Sequence, residues 1–353
     1  MCSIAEGSLG FSLLNDFQHG FPLDAQPFAH IAHTVGSTHD AVLATYAELR
    51  QSGCLSRIGA VFAPRRMGAS TLAALAVPVE RLDAVAAMVS QFAEVNHNYE
   101  REHRFNLWFV VTAPSSARLD AVLAGIESRC ALPVLRLPLE EQFHIDLGFR
   151  LCQPPGTATA RKTASVSTAP YEPSASDQTL IHALQGGLPL VRQPYAQLAQ
   201  QLGWSEAQVI ERIAAWLHKG LIKRFGVVVR HHELGFTANA MVVHNVPDDL
   251  VSQLGQQIGQ HPGVTLCYRR PRVGTQWPYN LFCMLHGRER SEVERQIAQL
   301  RSAHGLLQYP HEILFSRTRY KQQGAYYADG APPPVTAPVP APELAETLPT
   351  VEA

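Results

Sequence analysis

The feature that most constrains this chain is that its sequence repeats itself. Residues 179–328 can be laid over residues 11–152 with an offset of 167. The matching pairs are mostly glycines and prolines: Gln18/Gln185, Gly20/Gly187, Pro22/Pro189, Pro27/Pro194, Gly36/Gly203, Gly53/Gly220, Arg57/Arg224, Gly59/Gly226 and Gly68/Gly235. With an offset of 169, Val77-Pro78 matches Val246-Pro247 and Tyr99 matches Tyr268. Dispersed matches that keep glycine at turn positions predict the duplication of one fold unit.

The two copies are separated and followed by segments with few core-forming residues. Residues 153–178 are rich in Pro, Ser, Thr and Ala, and residues 329–353 form an Ala/Pro-rich acidic stretch. Such compositions predict a flexible linker and a disordered tail. Each copy divides further, so we expect four folded domains, at 11–68, 69–152, 179–236 and 237–328.

The first part of each copy has a helical pattern. In the second copy, apolar residues from Val209 to Leu217 recur along one helical face, after Ser205 as a candidate N-cap. A shorter helix at 194–203 precedes it, and the pair is typical of a helix-turn-helix. Residues 222–236 then predict a β-ribbon, the wing. The first copy repeats this order.

The second part of each copy alternates strands and helices as βαββαβ. The predicted elements are 71–77, 79–92, 95–101, 105–112, 116–129 and 134–146 in the first copy, and 238–246, 248–260, 263–270, 279–286, 290–303 and 306–318 in the second. The predicted fold class is α+β, a tandem repeat of a winged helix-turn-helix plus a ferredoxin-like βαββαβ domain. This arrangement resembles the leucine-responsive regulatory protein family, which implies binding of DNA and small effectors.

Charge argues against a DNA reader. The chain has 29 Lys+Arg against 30 Asp+Glu, for a formal charge of -1. The presumed recognition helices, Ser37–Gln51 and Ser205–Lys219, start with neutral or acidic residues, whereas phosphate and base contacts need basic and amide side chains there. We therefore expect nucleic acid not to be a partner.

Nothing in the sequence predicts secretion or membrane insertion. Residues 1–10 lack the pattern of a signal peptide, and no apolar run approaches the ~20 residues of a membrane helix. Six dispersed cysteines form no CxxC pair. We expect a cytoplasmic chain with reduced thiols and no membrane association.

A row of polar side chains marks the third predicted strand of the first copy. Alternation places His97, Tyr99 and Arg101 on one face of 95–101. The matching strand of the second copy carries Leu266, Tyr268 and Arg270. A solvated sheet face is the alternative explanation for such a row.

Further basic and imidazole groups lie on other predicted strands. They are Arg224, His231 and His232 in the second wing, Arg269 beside Arg270, and His144 in the last strand of the first copy. With nearby aromatics, this set suits a large, flat, partly apolar polyanion, because guanidinium groups bind carboxylates bidentately. Metal-binding, nucleotide-binding and Ser or Cys nucleophile motifs are absent from the sequence.

Several long segments resemble siroheme decarboxylase. They are FGVVVRHHELGF, CYRRP with WPYNLFCMLHG, and NHNYEREHRFNLWFVVTA with FHIDLGF. The resemblance covers about residues 11–328 and corresponds to the fused form of a two-component enzyme. It implies a carboxy-lyase that removes CO2 from the C12 and C18 acetates of siroheme to give 12,18-didecarboxysiroheme, in haem d1 biosynthesis. It also implies that no organic cofactor is used and that the iron belongs to the substrate.

With siroheme as substrate, roles can be assigned. We expect His97 to donate a proton, with Tyr99 and Arg101 orienting a carboxylate, and His144 to be a second candidate acid. The expected substrate-binding residues are Arg224, His231, His232, Tyr268, Arg269 and Arg270, and no metal site built from protein is expected.

Partners and alternatives remain open at this level. We expect siroheme as ligand, an internal pseudo-dimer, a possible homo-oligomer and contacts with other haem d1 biosynthesis proteins. The rival hypotheses are a transcriptional regulator with a tetrapyrrole or amino-acid effector and a non-catalytic tetrapyrrole carrier.

Overall fold

The computed structural model describes residues 4–63, 66, 68–145, 171, 173–230 and 232–324. The predicted tail and most of the predicted linker lie outside these residues, as does His231. The helices are α1 Leu9–Asn15, α2 Pro27–Thr34, α3 His39–Gln51, α4 Leu82–Ser90, α5 Ser116–Cys130, α6 Ala175–Gln185, α7 Pro194–Leu202, α8 Glu206–His218, α9 Val251–Gly259 and α10 Arg290–Ala303. The strands are β1 Leu55–Phe62, β2 Ala69–Leu75, β3 Val95–Arg101, β4 Leu107–Ala113, β5 Leu135–Pro138, β6 Glu141–Ile145, β7 Ile222–Val229, β8 Ala238–His244, β9 Val264–Arg269, β10 Leu281–Gly287 and β11 His311–Gln322.

The two helix-turn-helix units pack into one shared apolar core. Helices α1 to α3 and α6 to α8 contribute buried side chains to the same cluster, which includes Tyr46, Tyr195 and Trp216. The second recognition helix begins as predicted, because the Ser205 hydroxyl accepts the backbone N–H of Gln208 in a capping box. Helix α6 begins at Ala175, inside the segment predicted to be linker.

The predicted wings form differently. Instead of a ribbon within each half, each half contributes one strand, and β1 pairs antiparallel with β7 across the halves. Gly59 lies opposite Gly226 in this pair. A Cβ atom at Gly226 would lie 2.4 Å from the carbonyl oxygen of Gln18, so only glycine allows the backbone of the first half to approach this closely. The ribbon therefore joins the halves instead of projecting from each one.

The remaining strands confirm the ferredoxin-like prediction. Their order is β5-β2-β4-β3-β11-β8-β10-β9-β6, which contains one βαββαβ unit from each half in the order 4-1-3-2. Strand β11 connects the units, since it pairs with β8 near its start and with β3 near its end.

One predicted strand is divided. We expected a single strand at 134–146, but it breaks after Pro138, which has no N–H to continue the ladder. The chain then crosses to the second unit, where β6 pairs with β9. Each unit therefore receives an edge strand from the other half.

The sheet faces that are not covered by helices pack against each other. A buried cluster between them combines Trp108 and Leu137 of the first half with Tyr268, Trp277 and Phe282 of the second. Separate clusters lie between each sheet and its own helices. The site described below belongs to the space between the sheets, which we call the inter-sheet interior.

The thiols differ from the prediction at one position. Cys130, Cys267 and Cys283 are buried free thiols. Cys54 is disulfide-bonded, so the expectation of reduced thiols is wrong there. No helix in the described part of the chain is both long and apolar enough to cross a membrane.

Candidate active site

The predicted row on β3 faces the inter-sheet interior. Tyr99 lies opposite Trp108 of β4, whose indole belongs to the inter-sheet cluster. The intervening Asn98 points the other way and donates to the Ala86 carbonyl of α4 at 2.9 Å. His97, Tyr99 and Arg101 therefore share the interior face, and the alternative of a solvated sheet face does not describe them.

The hydrogen bonds of His97 define which ring nitrogen carries the proton. Its Nδ1 lies 3.0 Å from the side-chain oxygen of Asn96, which can only accept, so Nδ1–H donates. The amide of Asn96 in turn donates to the Thr112 hydroxyl at 3.0 Å. The Nε2 atom of the neutral ring is left as the proton-accepting position.

Burial controls the charge of this histidine. Desolvation, helped by the positive charge of Arg57, lowers the pKa of His97 to about 4. The ring is therefore neutral near pH 7. It stacks nearly parallel to Tyr99, with 6.2 Å between ring centroids.

Arg101 stays charged and is fixed in place. It is buried, its Nη1 donates to the Leu314 carbonyl of β11 at 2.9 Å, and its guanidinium lies 5.9 Å from the centre of the Tyr99 ring. Burial lowers its pKa to about 10, which leaves it a cation at neutral pH. It brings a positive charge into the interior beside the phenol.

Two arginines that sequence analysis did not propose as site residues complete the cationic lining. Arg319 of β11 lies opposite Tyr99 in the strand register, and its charge acts on that phenol. Arg57 of β1 is close enough to lower the pKa of His97. The signal for Arg319 is the pairing of β11 with β3, which joins residues more than 200 positions apart.

The matching row of the second half meets the first. Arg270 lies 4.6 Å from the ring centre of Tyr268 and donates to the Leu137 carbonyl of the first half, as Arg101 does to Leu314. Tyr268 also interacts electrostatically with Arg101. The two Tyr-x-Arg pairs are therefore neighbours in the interior, and Leu266 stands where the first half has a histidine.

Three predicted site residues lie elsewhere. Arg269 points away from the interior and pairs with Glu140 at 2.9 Å and Asp248 at 3.1 Å. Arg224 is buried among the helix-turn-helix units. The irregular pairing of β6 turns His144 toward α9, where its Cβ would lie 2.9 Å from a Cβ at Gly259.

The two histidines predicted in the second wing, His231 and His232, are not both found at the site. His232 is half-buried and lies beside Glu233, whose pKa its charge helps to lower. His231 lies outside the described residues. Among the described residues, no group of three or more His, Cys, Asp or Glu side chains is arranged to hold a metal ion.

A cavity of about 340 Å³ adjoins the row at Arg101. Its lining also includes two carboxylates and several basic or apolar side chains: Val79, Leu82, Glu100, Glu102, His103, Asn106 and Arg317.

The recognition helices present little positive charge. The exposed side chains are Asp40, Ala44, Ala47, Glu48, Arg50 and Gln51 on α3, and Ala207, Gln208, Glu211, Ala214 and His218 on α8. Asp40 is also paired with Arg192 of the other half at 2.7 Å. Arg50 is the one Lys or Arg among these side chains, whereas helices that read DNA hold phosphates with several basic groups.

Comparison with known proteins decides the family. Residues 12–55 and 177–223 match the siroheme decarboxylase NirDL-like HTH domain, and residues 66–144 and 233–321 match the AsnC-like ligand binding domain. The siroheme decarboxylase NirDL subunit of Paracoccus denitrificans is 43% identical over 92% of this chain and 98% of its own length. The chain belongs to the siroheme decarboxylase family. The resemblance seen in the sequence is thereby confirmed.

Other members of the siroheme decarboxylase family extend the comparison. The siroheme decarboxylase of Hydrogenobacter thermophilus is 30% identical over 88% of this chain and 92% of its own length. A crystal structure of siroheme decarboxylase NirDL matches with a TM-score of 0.67 and 27% identity, covering 90% of this chain and 94% of that one. A second, in complex with an iron-uroporphyrin III analogue, matches with a TM-score of 0.65 and 27% identity over 88% of this chain and 92% of that one.

Proposed function

We propose that this protein is a siroheme decarboxylase, a carboxy-lyase that converts the C12 and C18 acetates of siroheme to methyl groups in haem d1 synthesis. The observation that carries the proposal is the 43% identity, over 92% of the chain, to a protein named as this enzyme. A related structure that binds an iron-uroporphyrin analogue supports a tetrapyrrole as the ligand.

Substrate binding rests on the buried arginines. Siroheme is flat and carries eight carboxylates. Arg57, Arg101 and Arg319 come from three different strands, and Arg270 directly follows a fourth, β9. We assign them to the substrate carboxylates, because a guanidinium matches a carboxylate with two parallel hydrogen bonds. Tyr99 and Tyr268 offer ring faces to the macrocycle between these cations.

Proton delivery rests on His97. Burial and the positive charge of Arg57 keep its pKa low. Substrate carboxylates that bind Arg57 bring negative charge to the same place, which raises the pKa of His97 and loads Nε2 with a proton. The resulting imidazolium protonates the macrocycle as a general acid.

The bond changes balance with one proton consumed per CO2. The bond between the acetate methylene and its carboxylate breaks, CO2 leaves, and the bonding electrons enter the protonated ring system. The exocyclic carbon then takes up a proton and becomes a methyl group, and the ring system gives up the proton that it first received, so that one proton is consumed overall. Arg101 and Tyr99 orient the reacting carboxylate for this step.

The proposal includes no organic cofactor and no metal held by the protein, since the iron is carried by siroheme. The two halves act as an internal pseudo-dimer, and further self-association or contact with other haem d1 biosynthesis proteins is proposed for the assembly.

We place the enzyme in the cytoplasm and expect no nucleic acid or membrane partner. Cell fractionation, with the protein detected in each fraction, tests the location.

Anaerobic incubation of the purified chain with siroheme tests the activity. Mass spectrometry should show a product lighter than siroheme by two CO2. Binding without mass loss would instead identify a tetrapyrrole carrier. Tight, salt-sensitive retardation of duplex DNA would favour a regulator.

A further inference from the structure

One arginine of the site, Arg319, forms an ion pair with a carboxylate of the protein itself, that of Glu233. Arg319 is only 27% exposed, and its Nη2 lies 2.5 Å from Oε1 of Glu233, which is 28% exposed. Glu233 comes from the turn between β7 and β8, so it reaches Arg319 from a different part of the fold. The arginine holds the pKa of this carboxyl below its usual range, so Glu233 is ionised at neutral pH.

The other arginines of the same lining have neutral partners. Arg101 donates to the Leu314 carbonyl at 2.9 Å, and Arg57 donates to the Ala60 carbonyl at 3.2 Å. Burial also leaves Nε of Arg57 without a hydrogen-bond partner. Arg319 is thus paired with a carboxylate, whereas within the described part of the chain the neighbouring Arg57 and Arg101 bond only to backbone carbonyls.

We propose that Glu233 is a displaceable stand-in for a substrate carboxylate, and that siroheme takes its place on Arg319. This inference rests on the proposed function and adds a residue that sets substrate affinity. Binding exchanges one carboxylate for another on the same guanidinium, so the negative charge of Glu233 lowers the affinity for siroheme. A polycarboxylate displaces it readily, because several arginines are engaged at once.

The test is equilibrium binding of siroheme under anaerobic conditions, followed by visible absorption. Glu233→Gln keeps the shape of the side chain and removes its charge, so siroheme should bind about five-fold more tightly, the effect of a partly exposed ion pair. Glu127→Gln is the matched control. Glu127 is similarly exposed and pairs with Arg136 at 3.0 Å, but on the helix side of the first sheet, and its substitution should leave affinity unchanged.

A double-mutant cycle separates competition from a structural role. Arg319→Gln should weaken binding, and the gain from Glu233→Gln should vanish in that background. Weaker or unchanged binding in Glu233→Gln would overturn the proposal, as would a gain that persists without Arg319.

The proposed function fails separately. If the unaltered chain bound siroheme without releasing CO2, the assignment as a decarboxylase would be wrong, while the exchange on Arg319 would still be measurable. If it bound no siroheme, both would be overturned.

Discussion

The two halves of this protein share one framework and differ in chemistry. In the first half the side chain of Asn106 bonds both backbone groups of Val77, and in the second half Asn280 does the same for Val246. Both halves keep a tyrosine and an arginine two residues apart on the interior face. Both halves therefore keep the asparagine that bonds this valine and the Tyr-x-Arg pair, while the residue that we propose as the proton donor differs, His97 against Leu266.

The opposite difference occurs in the cores. His244 is completely buried in the second half, at the position that Leu75 fills in the first. Neither of its ring nitrogens has a hydrogen-bond partner, and its ring stacks on His311 at 5.9 Å. Burial lowers its pKa to about 3. The second half thus buries a neutral imidazole, and protonation of this imidazole at low pH lowers the free energy of unfolding.

The largest effect is expected from replacing His97, the histidine that the second half lacks. His97→Gln should lower the rate of CO2 release by about 100-fold or more, the usual contribution of a general acid, while siroheme binding persists. Stopped anaerobic assays with product detection by mass spectrometry measure this.

Leu266→Ala is the matched control in the other half and should keep activity within a few-fold. Equal losses in the two variants would mean that the rows are equivalent and that His97 has no special part in proton transfer.

The shared arginines should give the next largest effects. Arg101→Gln removes a buried charge-assisted contact to a substrate carboxylate, so siroheme binding should weaken about 10- to 100-fold. Arg270→Gln should weaken it by a similar factor if both rows bind anions.

Arg269→Gln serves as the control, because this neighbour already pairs with Glu140 and Asp248 outside the interior. Affinity should be nearly unchanged. A loss as large as that of Arg101→Gln would place the substrate on the other side of the strand.

The buried histidine predicts how acid affects the fold. The unfolded chain takes up a proton on this histidine below about pH 6.5, but the folded chain resists until about pH 3. Stability from this group is therefore complete above pH 6.5 and falls by about 1.4 kcal/mol per pH unit below it.

His244→Leu installs the residue of the first half and should flatten this dependence, as measured by urea unfolding at pH 7 and pH 5. An unchanged slope would show that other groups dominate acid unfolding.

The smallest expected effect concerns a surface contact between the halves. Arg192→Ala breaks the exposed pair with Asp40, and the free energy of unfolding should change by less than about 0.5 kcal/mol. A loss of several kcal/mol in thermal or urea unfolding would mean that charge, rather than the shared apolar core, joins the two helix-turn-helix units.

Sequence patterns predicted the elements well because the patterns are local. The strand at 95–101 and the helix at 290–303 have the predicted bounds, since apolar periodicity and caps act within a few turns. The interior position of His97, Tyr99 and Arg101 also follows from alternation once one face is buried. The split of the strand at 134–146 and the shared ribbon were missed, because both depend on pairing with a distant segment.

By itself the sequence determined the duplication, the family and the row that carries the candidate chemistry, because these depend on residue identity and short-range periodicity. Only the tertiary structure decided that β11 pairs with β3, that Arg57 and Arg319 join His97, and that Arg269 and His144 face elsewhere. The sequence of a strand shows which residues share a face. Contacts between residues far apart along the chain decide which strand it pairs with and which charged side chains then lie beside it.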